Sequence, residues 1–224
     1  MIPCISVENM RRSDAYTIAN FVPGLELMRR AAMGVFKAYH WPGATAIVVG
    51  SGNNGGDGFA LAWILKERGF DCTVFTVSQK MSPDSAWYAE KEREVGVPIR
   101  PFEKDCLTGY STVVDCLLGT GFSGTVRGSC RDAIEAINAS GSYVISVDIN
   151  SGMNGDTGEA ELAVRSDLTV TIGFVKHGLV EENAGKYMKR LVCADIGIIL
   201  IQEEGFITGE TCPPWLDMTV IMSL

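Results

Sequence analysis

The sequence predicts a doubly wound α/β fold: a mostly parallel sheet with helices on both faces, in one domain spanning residues 1–224. Three observations predict it. Short runs rich in β-branched residues are apolar throughout, as strands covered on both faces are. Segments with apolar residues at helical spacing alternate with them. Several of the runs end in glycine-rich loops, where open α/β sheets bind their ligands.

In chain order, "NMRRSDAYTIANF" and "GLELMRRAAMGVFKAYH" read as amphipathic helices, the second with Leu25, Met28, Ala32, Val35 and Phe36 three to four residues apart. "TAIVVG" is a strand closed by glycine, "SGNNGGDG" a loop, "FALAWILKER" a helix stopped by Gly69, and "CTVFTV" a strand. "SAWYAEKEREVG" is a charged surface helix, "TVVDCLLG" a buried strand, "CRDAIEAINAS" a helix and "YVISVDI" a strand. "DLTVTIGF" and "RLVCADIGI" give two further strands, separated by the charged stretch "VKHGLVEENAGKYMK". Residues 199–224 are expected as an irregular tail that packs Trp215 against the domain.

Composition narrows the function. The 224 residues, 46% of them hydrophobic, suffice for a large core, and no apolar run approaches the roughly 18 residues of a membrane span. The N-terminus lacks a basic start followed by an apolar core, which predicts a cytoplasmic setting. Seven cysteines without a C-x-x-C pair predict small buried hydrophobes rather than disulfides or a thiolate zinc site. The formal charge of −8 argues against nucleic acid as a partner, so a phosphate would have to be held locally, by backbone amides at a helix N-terminus.

Three strand ends carry unusual residues. In the first, Gly50, Gly52 and Gly55 match a dinucleotide fingerprint, yet the next strand ends "VFTVSQK", without the carboxylate or arginine that would hold a ribose. An ordinary nicotinamide oxidoreductase is therefore disfavoured. Asn53 and Asn54 offer amide groups, and Asp57 sits where a helix would begin, either as its N-cap or as a ligand contact. In the second, Gly119, Gly121 and Gly124 alternate with Thr120, Ser123 and Thr125, a nest of amides and hydroxyls suited to phosphate. Before it, Asp115 lies in an apolar strand, where a carboxylate costs several kcal/mol unless a cation or several donors meet it. In the third, Asp148 ends a strand and precedes Asn150, Ser151 and Gly152, placed either for proton transfer or as a turn cap. Lys176 could reach an anionic ligand or be solvated; His40 and His177 have no metal-spaced partner, and Arg29 and Arg30 read as a solvated helix face.

"GSGNNGGDG", "VVDCLLGTGFSGTVRG" and "VDINSGMNGDTGE", followed by "DLTVTIGFVKHGL" and "ADIGI", together resemble the YjeF N-terminal domain family, which has a Rossmann-like fold, colinearly from about residue 5 to 198. The resemblance implies epimerisation of the R and S forms of NADH or NADPH hydrated at nicotinamide C6, a nucleotide repair step. It implies that Asn53, Asn54, Gly55, Gly56 and Asp57 bind the hydrated dinucleotide, with Gly119, Thr120, Gly121, Phe122, Ser123, Gly124 and Thr125 on its pyrophosphate side. It further implies a potassium ion at Asn54, Asp115 and Ser151. Asp148 matches the substrate-binding, catalytic carboxylate, and would act as acid when the hydroxyl leaves and as base when water returns. A homodimer is expected, with a separate ADP- or ATP-dependent dehydratase as pathway partner and no dehydratase domain in this chain. The family usually has proline where this chain has Asn150, which predicts a looser turn beside Asp148. Some relatives are scaffolds, so a non-catalytic binding module is the alternative, and retention of Asp148 with the cation trio favours the enzyme.

Overall fold

The computed structural model describes residues 1–223. In chain order it contains β1 (Ile2–Ile5), α1 (Val7–Asn20), α2 (Gly24–Ala38), β2 (Thr45–Val49), α3 (Asn53–Glu67), β3 (Cys72–Thr76), α4 (Pro83–Val95), β4 (Ile99–Pro101) and β5 (Thr112–Cys116). There follow α5 (Gly128–Ala139), β6 (Tyr143–Val147), β7 (Leu168–Ile172), β8 (Val175–Lys176), β9 (Leu191–Asp195), β10 (Phe206–Ile207) and β11 (Leu216–Met222). Eight strands form one sheet in the order β11-β9-β7-β6-β5-β2-β3-β4, every neighbouring pair parallel. A small second sheet, β10-β1-β8, closes one end.

The strands are apolar throughout because both faces are covered. In β2, Ile47 and Val49 pack towards α2 and α3 with Phe59, Leu61 and Leu65, while Ala46 and Val48 pack towards Ile134 and Ile137 of α5. This register puts Val48 beside Asp115 of β5, and Asp115 beside Ser146 of β6. All these strands point their carboxyl ends at the same edge of the sheet. The loops flagged in the sequence therefore meet there.

The C-terminal stretch differs from the irregular tail expected over 199–224. Its β11 pairs in parallel with β9 and forms an edge of the main sheet, and Trp215 packs on Gly185 and donates from its indole to the Leu179 carbonyl at 3.0 Å. Most of β11 is exposed or half-buried, so it lacks the apolar run that marks the central strands. β1 was also beyond reach: four residues, one of them Pro3, carry too little periodicity. All seven cysteines are free; burial pushes the thiols of Cys72 and Cys193 up to about 12, so neither carries a thiolate. No helix among the described residues is long and apolar enough to cross a membrane.

α4 contains a testable anomaly. Ser82 caps it, accepting from the Ser85 amide, and Gly96 ends it in the left-handed conformation at φ 76°. Glu92 on its inner face is fully buried, and neither carboxylate oxygen has a partner among the described residues. Burial holds its pKa well above the carboxylate value of 4.5, so the fold keeps a proton that the unfolded chain releases. Stability should then fall by about 1.4 kcal/mol per pH unit as pH rises above that value, until Glu92 itself ionises. Glu92→Gln should remove this slope. In urea melts the variant gains on the parent as pH rises above about 5; parallel curves would contradict the assignment.

Candidate active site

The carboxyl ends of β2, β5 and β6 open into a cavity of about 690 Å³, roofed by α1 and α2. Asn53, Asn54, Asp57, Gly119, Thr120, Gly121, Phe122, Ser123 and Asp148 all line it. Gly55 and Gly56 are buried below the surface of the loop. Glycine is required at 55, because an added Cβ would lie 2.2 Å from the Gly50 carbonyl oxygen. Gly124 instead lines an adjoining cavity of about 520 Å³, which shares Phe122 and Ser123 with the first. Thr125 is exposed and lines neither.

The first turn of α3 supplies what a phosphate needs. The helix begins at Asn53, with Gly52 as its N-cap, so Asp57 is not the cap that its position after the glycines allowed. It lies in the second turn and points a carboxyl at the cavity. The free amides of the first turn are left for an anion. Asp57 has a pKa pushed well above the usual range, by burial first and then by the charges of Asp148 and Asp14, against the pull of Lys176.

Asp148 follows β6 and is held in the left-handed region at φ 69°, one of two non-glycine residues there among those described. Such a conformation is uncommon and concentrates at functional sites. The backbone is locked by a hydrogen bond from the Asp148 amide to the Val170 carbonyl at 2.8 Å. Its Oδ1 accepts from Lys176 Nζ at 2.5 Å and its Oδ2 from the Thr120 amide at 3.3 Å. Lys176 is fully buried and also donates to Thr171 Oγ1 at 3.1 Å and the Ile172 carbonyl at 2.7 Å, which uses all three ammonium protons. In sequence this lysine is compatible with either an anionic ligand or solvent. The structure gives it a different role, as the fixed counter-ion of Asp148.

Asp115 is fully buried, but its carboxylate does not depend on a cation. Oδ1 accepts from the Leu117 amide at 3.2 Å and Ser151 Oγ at 2.5 Å, and Oδ2 from Ser146 Oγ at 2.8 Å and the Ser151 amide at 3.0 Å. These bonds oppose the upward pKa shift caused by burial. Beside it, Asn54 Oδ1 is buried without a hydrogen-bond partner among the described residues. Asn54 Nδ2 and Ser151 Oγ both approach the Leu118 carbonyl, at 3.1 Å each, so the three predicted cation ligands do gather around one backbone segment. Amide, carboxylate, hydroxyl and carbonyl oxygens form a hard donor set, and a buried amide oxygen without a donor fits an alkali cation.

The turn after Asp148 is not loosened by the missing proline. Asn150 is fully buried, its Oδ1 accepts from Thr169 Oγ1 at 2.6 Å, and its Nδ2 lies within 3.0 Å of Val164 O, Ser166 Oγ and Tyr187 O. Side-chain bonds do the work that a fixed φ would do. The histidines lie outside the cavity, with His177 Nε2 3.0 Å from Glu204, while Arg29 and Arg30 pair with Glu26 on α2.

No local pattern marks α1 as a wall of the site. Asn9, Ser13 and Thr17 face away from the cavity and bond residues 199–202: Asn9 Nδ2 donates to the Gln202 carbonyl at 2.6 Å, and the Ser13 and Thr17 hydroxyl oxygens accept from the Ile201 and Ile199 amides. The adjacent stripe, Met10, Asp14 and Ile18, then faces the cavity. Arg11 Nη2 ties the helix to the Thr120 carbonyl.

Comparison with known proteins agrees with this geometry. Residues 24–178 match the model of the family described as YjeF-related protein N-terminus. The NAD(P)H-hydrate epimerase of Limosilactobacillus fermentum is 34% identical over 85% of this chain and 95% of its own length. The bifunctional NAD(P)H-hydrate repair enzyme Nnr of Coxiella burnetii is 37% identical over 84% of this chain, which spans only 40% of that longer protein. The crystal structure of the yeast protein ynu0 superposes with a TM-score of 0.75 over 93% of this chain and 98% of the yeast chain, at 18% identity, a likeness of fold. With its family model matched over most of its length and its three loops folded into one cavity, the chain belongs to the YjeF-related N-terminal family.

Proposed function

We propose that this chain is an NAD(P)H-hydrate epimerase, interconverting the R and S forms of NADH or NADPH hydrated at nicotinamide C6. One observation carries the reading: a carboxylate in a left-handed turn, paired to a fully buried lysine, faces a cavity lined by the first turn of α3 and the glycine-rich 119–123 loop. The full-length likeness to a named epimerase supports it.

The dinucleotide's phosphates would sit against the first turn of α3 and the 119–123 loop, leaving the hydrated ring beside Asp148. Loss of the C6 hydroxyl as water leaves an iminium cation in the ring, and water returning to the other face inverts the carbon. As placed, both Asp148 oxygens are acceptors, so this carboxylate is set to take the proton of the returning water and to stabilise the cation electrostatically. Lys176 fixes its direction. A potassium ion held by Asn54, Asp115 and Ser151 would supply fixed positive charge and tie the three loops together. The dehydratase that consumes the repaired epimer would be a separate activity, and a homodimer is the expected assembly.

The test is an assay with the resolved R and S hydrates, separated by chromatography, in potassium buffer and in a tetraalkylammonium buffer. Faster interconversion than the spontaneous rate, reduced without potassium, is the expected outcome. Tight dinucleotide binding without acceleration would instead favour a binding module.

A further inference from the structure

Inversion at one carbon by loss and return of water needs proton transfer on two faces of the ring. With Asp148 arranged as an acceptor, the proton for the departing hydroxyl has to come from elsewhere. Four carboxyls line the cavity, Asp14, Asp57, Asp84 and Asp148; Asp84 stands in the first turn of α4 with its carboxyl against Gly24, and the buried Lys176 pairs with Asp148. Asp148 and Asp57 both stand on elements that continue the strand ends of the main sheet, whereas Asp14 stands on α1. The docking of Asn9, Ser13 and Thr17 on residues 199–202 fixes α1 in rotation and holds Asp14 on the cavity side, between Met10 and Ile18.

We propose that Asp14 is the second catalytic residue, serving the ring face that Asp148 does not. The inference rests on the epimerase reading above. In one direction the Asp14 carboxyl gives its proton to the C6 hydroxyl oxygen. The C–O bond breaks, its electron pair leaves with water, and the nitrogen lone pair forms the C=N bond of the iminium. Water then adds from the Asp148 side, its oxygen bonds C6, the C=N pair returns to nitrogen, and its surplus proton goes to Asp148. The pair ends with its proton exchanged, Asp14 ionised and Asp148 protonated, which is the state from which the reverse reaction starts. No other reactant is needed.

The electrostatics agree. Burial and the charge of Asp148 raise the pKa of Asp14, and Lys176 restrains the rise. Burial first, and then the charges of Asp148 and Asp14, hold Asp57 well above its usual range, so Asp57→Asn belongs in the same test. The charged groups facing Asp14 are Arg11 on its own helix, Asp57 on α3, Asp84 on α4, Asp148 after β6 and Lys176 on β8.

The test compares the parent with Asp14→Asn, Asp14→Glu, Asp57→Asn and, as a control on exposed α1, Arg12→Ala, in the same chromatographic assay. Asp14→Asn should lower kcat by about 100-fold or more, with KM within about threefold of the parent. It should also lose the alkaline limb of the kcat profile, which in the parent reports loss of the proton the pair shares. Asp14→Glu should recover part of the rate, and Arg12→Ala should match the parent. Asp14→Asn at parental rate with both limbs intact, or Asp57→Asn alone abolishing turnover, overturns the inference and leaves the epimerase reading standing. A parent that does not accelerate interconversion overturns both. Rescue by Asp14→Glu separates chemistry from a folding defect.

Discussion

Asp148→Asn should lower epimerase turnover by at least about 1,000-fold, the product of a lost proton transfer and a lost electrostatic partner for the ring cation. Dinucleotide affinity should change only a few-fold, because in the proposed site the phosphates are held by the α3 amides and the 119–123 loop rather than by this side chain. The substitution is nearly isosteric, and asparagine tolerates the left-handed backbone at φ 69°. Its Oδ1 can still accept from Lys176, so the turn should keep its shape. Kinetics over a range of hydrate concentrations check this directly: a loss in kcat at near-constant KM is expected, and an active variant would remove Asp148 from the chemistry.

The second large effect concerns stability. Lys176→Met removes the only cation within bonding distance of Asp148 among the described residues and leaves a carboxylate in a poorly solvated pocket. Breaking a buried pair in this way costs about 3–5 kcal/mol, a large part of the stability of an ordinary domain. Removing both charges should cost much less than the sum of the single changes, since methionine fills the lysine channel and asparagine carries no charge. Urea unfolding of Lys176→Met, Asp148→Asn and the double variant forms a cycle with an expected coupling above about 1.5 kcal/mol. Simple additivity would mean that the two residues do not act as a pair.

The parallel sheet and its helices were legible because buried strands and amphipathic helices leave opposite periodicities, and the loops were legible because glycine, asparagine and aspartate cluster where the strands end. What stayed hidden was set by pairings distant in sequence. Lys176 is 28 residues from Asp148, and nothing local distinguishes a buried lysine from a solvated one. Nothing local marks Asp14, because the stripe that buries α1 is polar: Asn9, Ser13 and Thr17 bond backbone nearly two hundred residues away. Hydrophobic periodicity cannot find such a face. Asp115 shows the same limit: a buried carboxylate in an apolar strand calls for a cation or several donors, and Ser146 and Ser151 meet it from the neighbouring strand and loop, while among the described residues Asn54 Oδ1 is left unpartnered beside them.

The central claim is that this cavity removes and returns water at C6, and oxygen exchange tests it most directly. The R hydrate is incubated with protein in ¹⁸O-enriched water, and the label in the separated R and S forms is followed by mass spectrometry against a protein-free control. The account predicts S hydrate formed faster than in the control and carrying solvent oxygen at C6. Inversion at the uncatalysed rate, or accelerated inversion that retains the original oxygen, would contradict it.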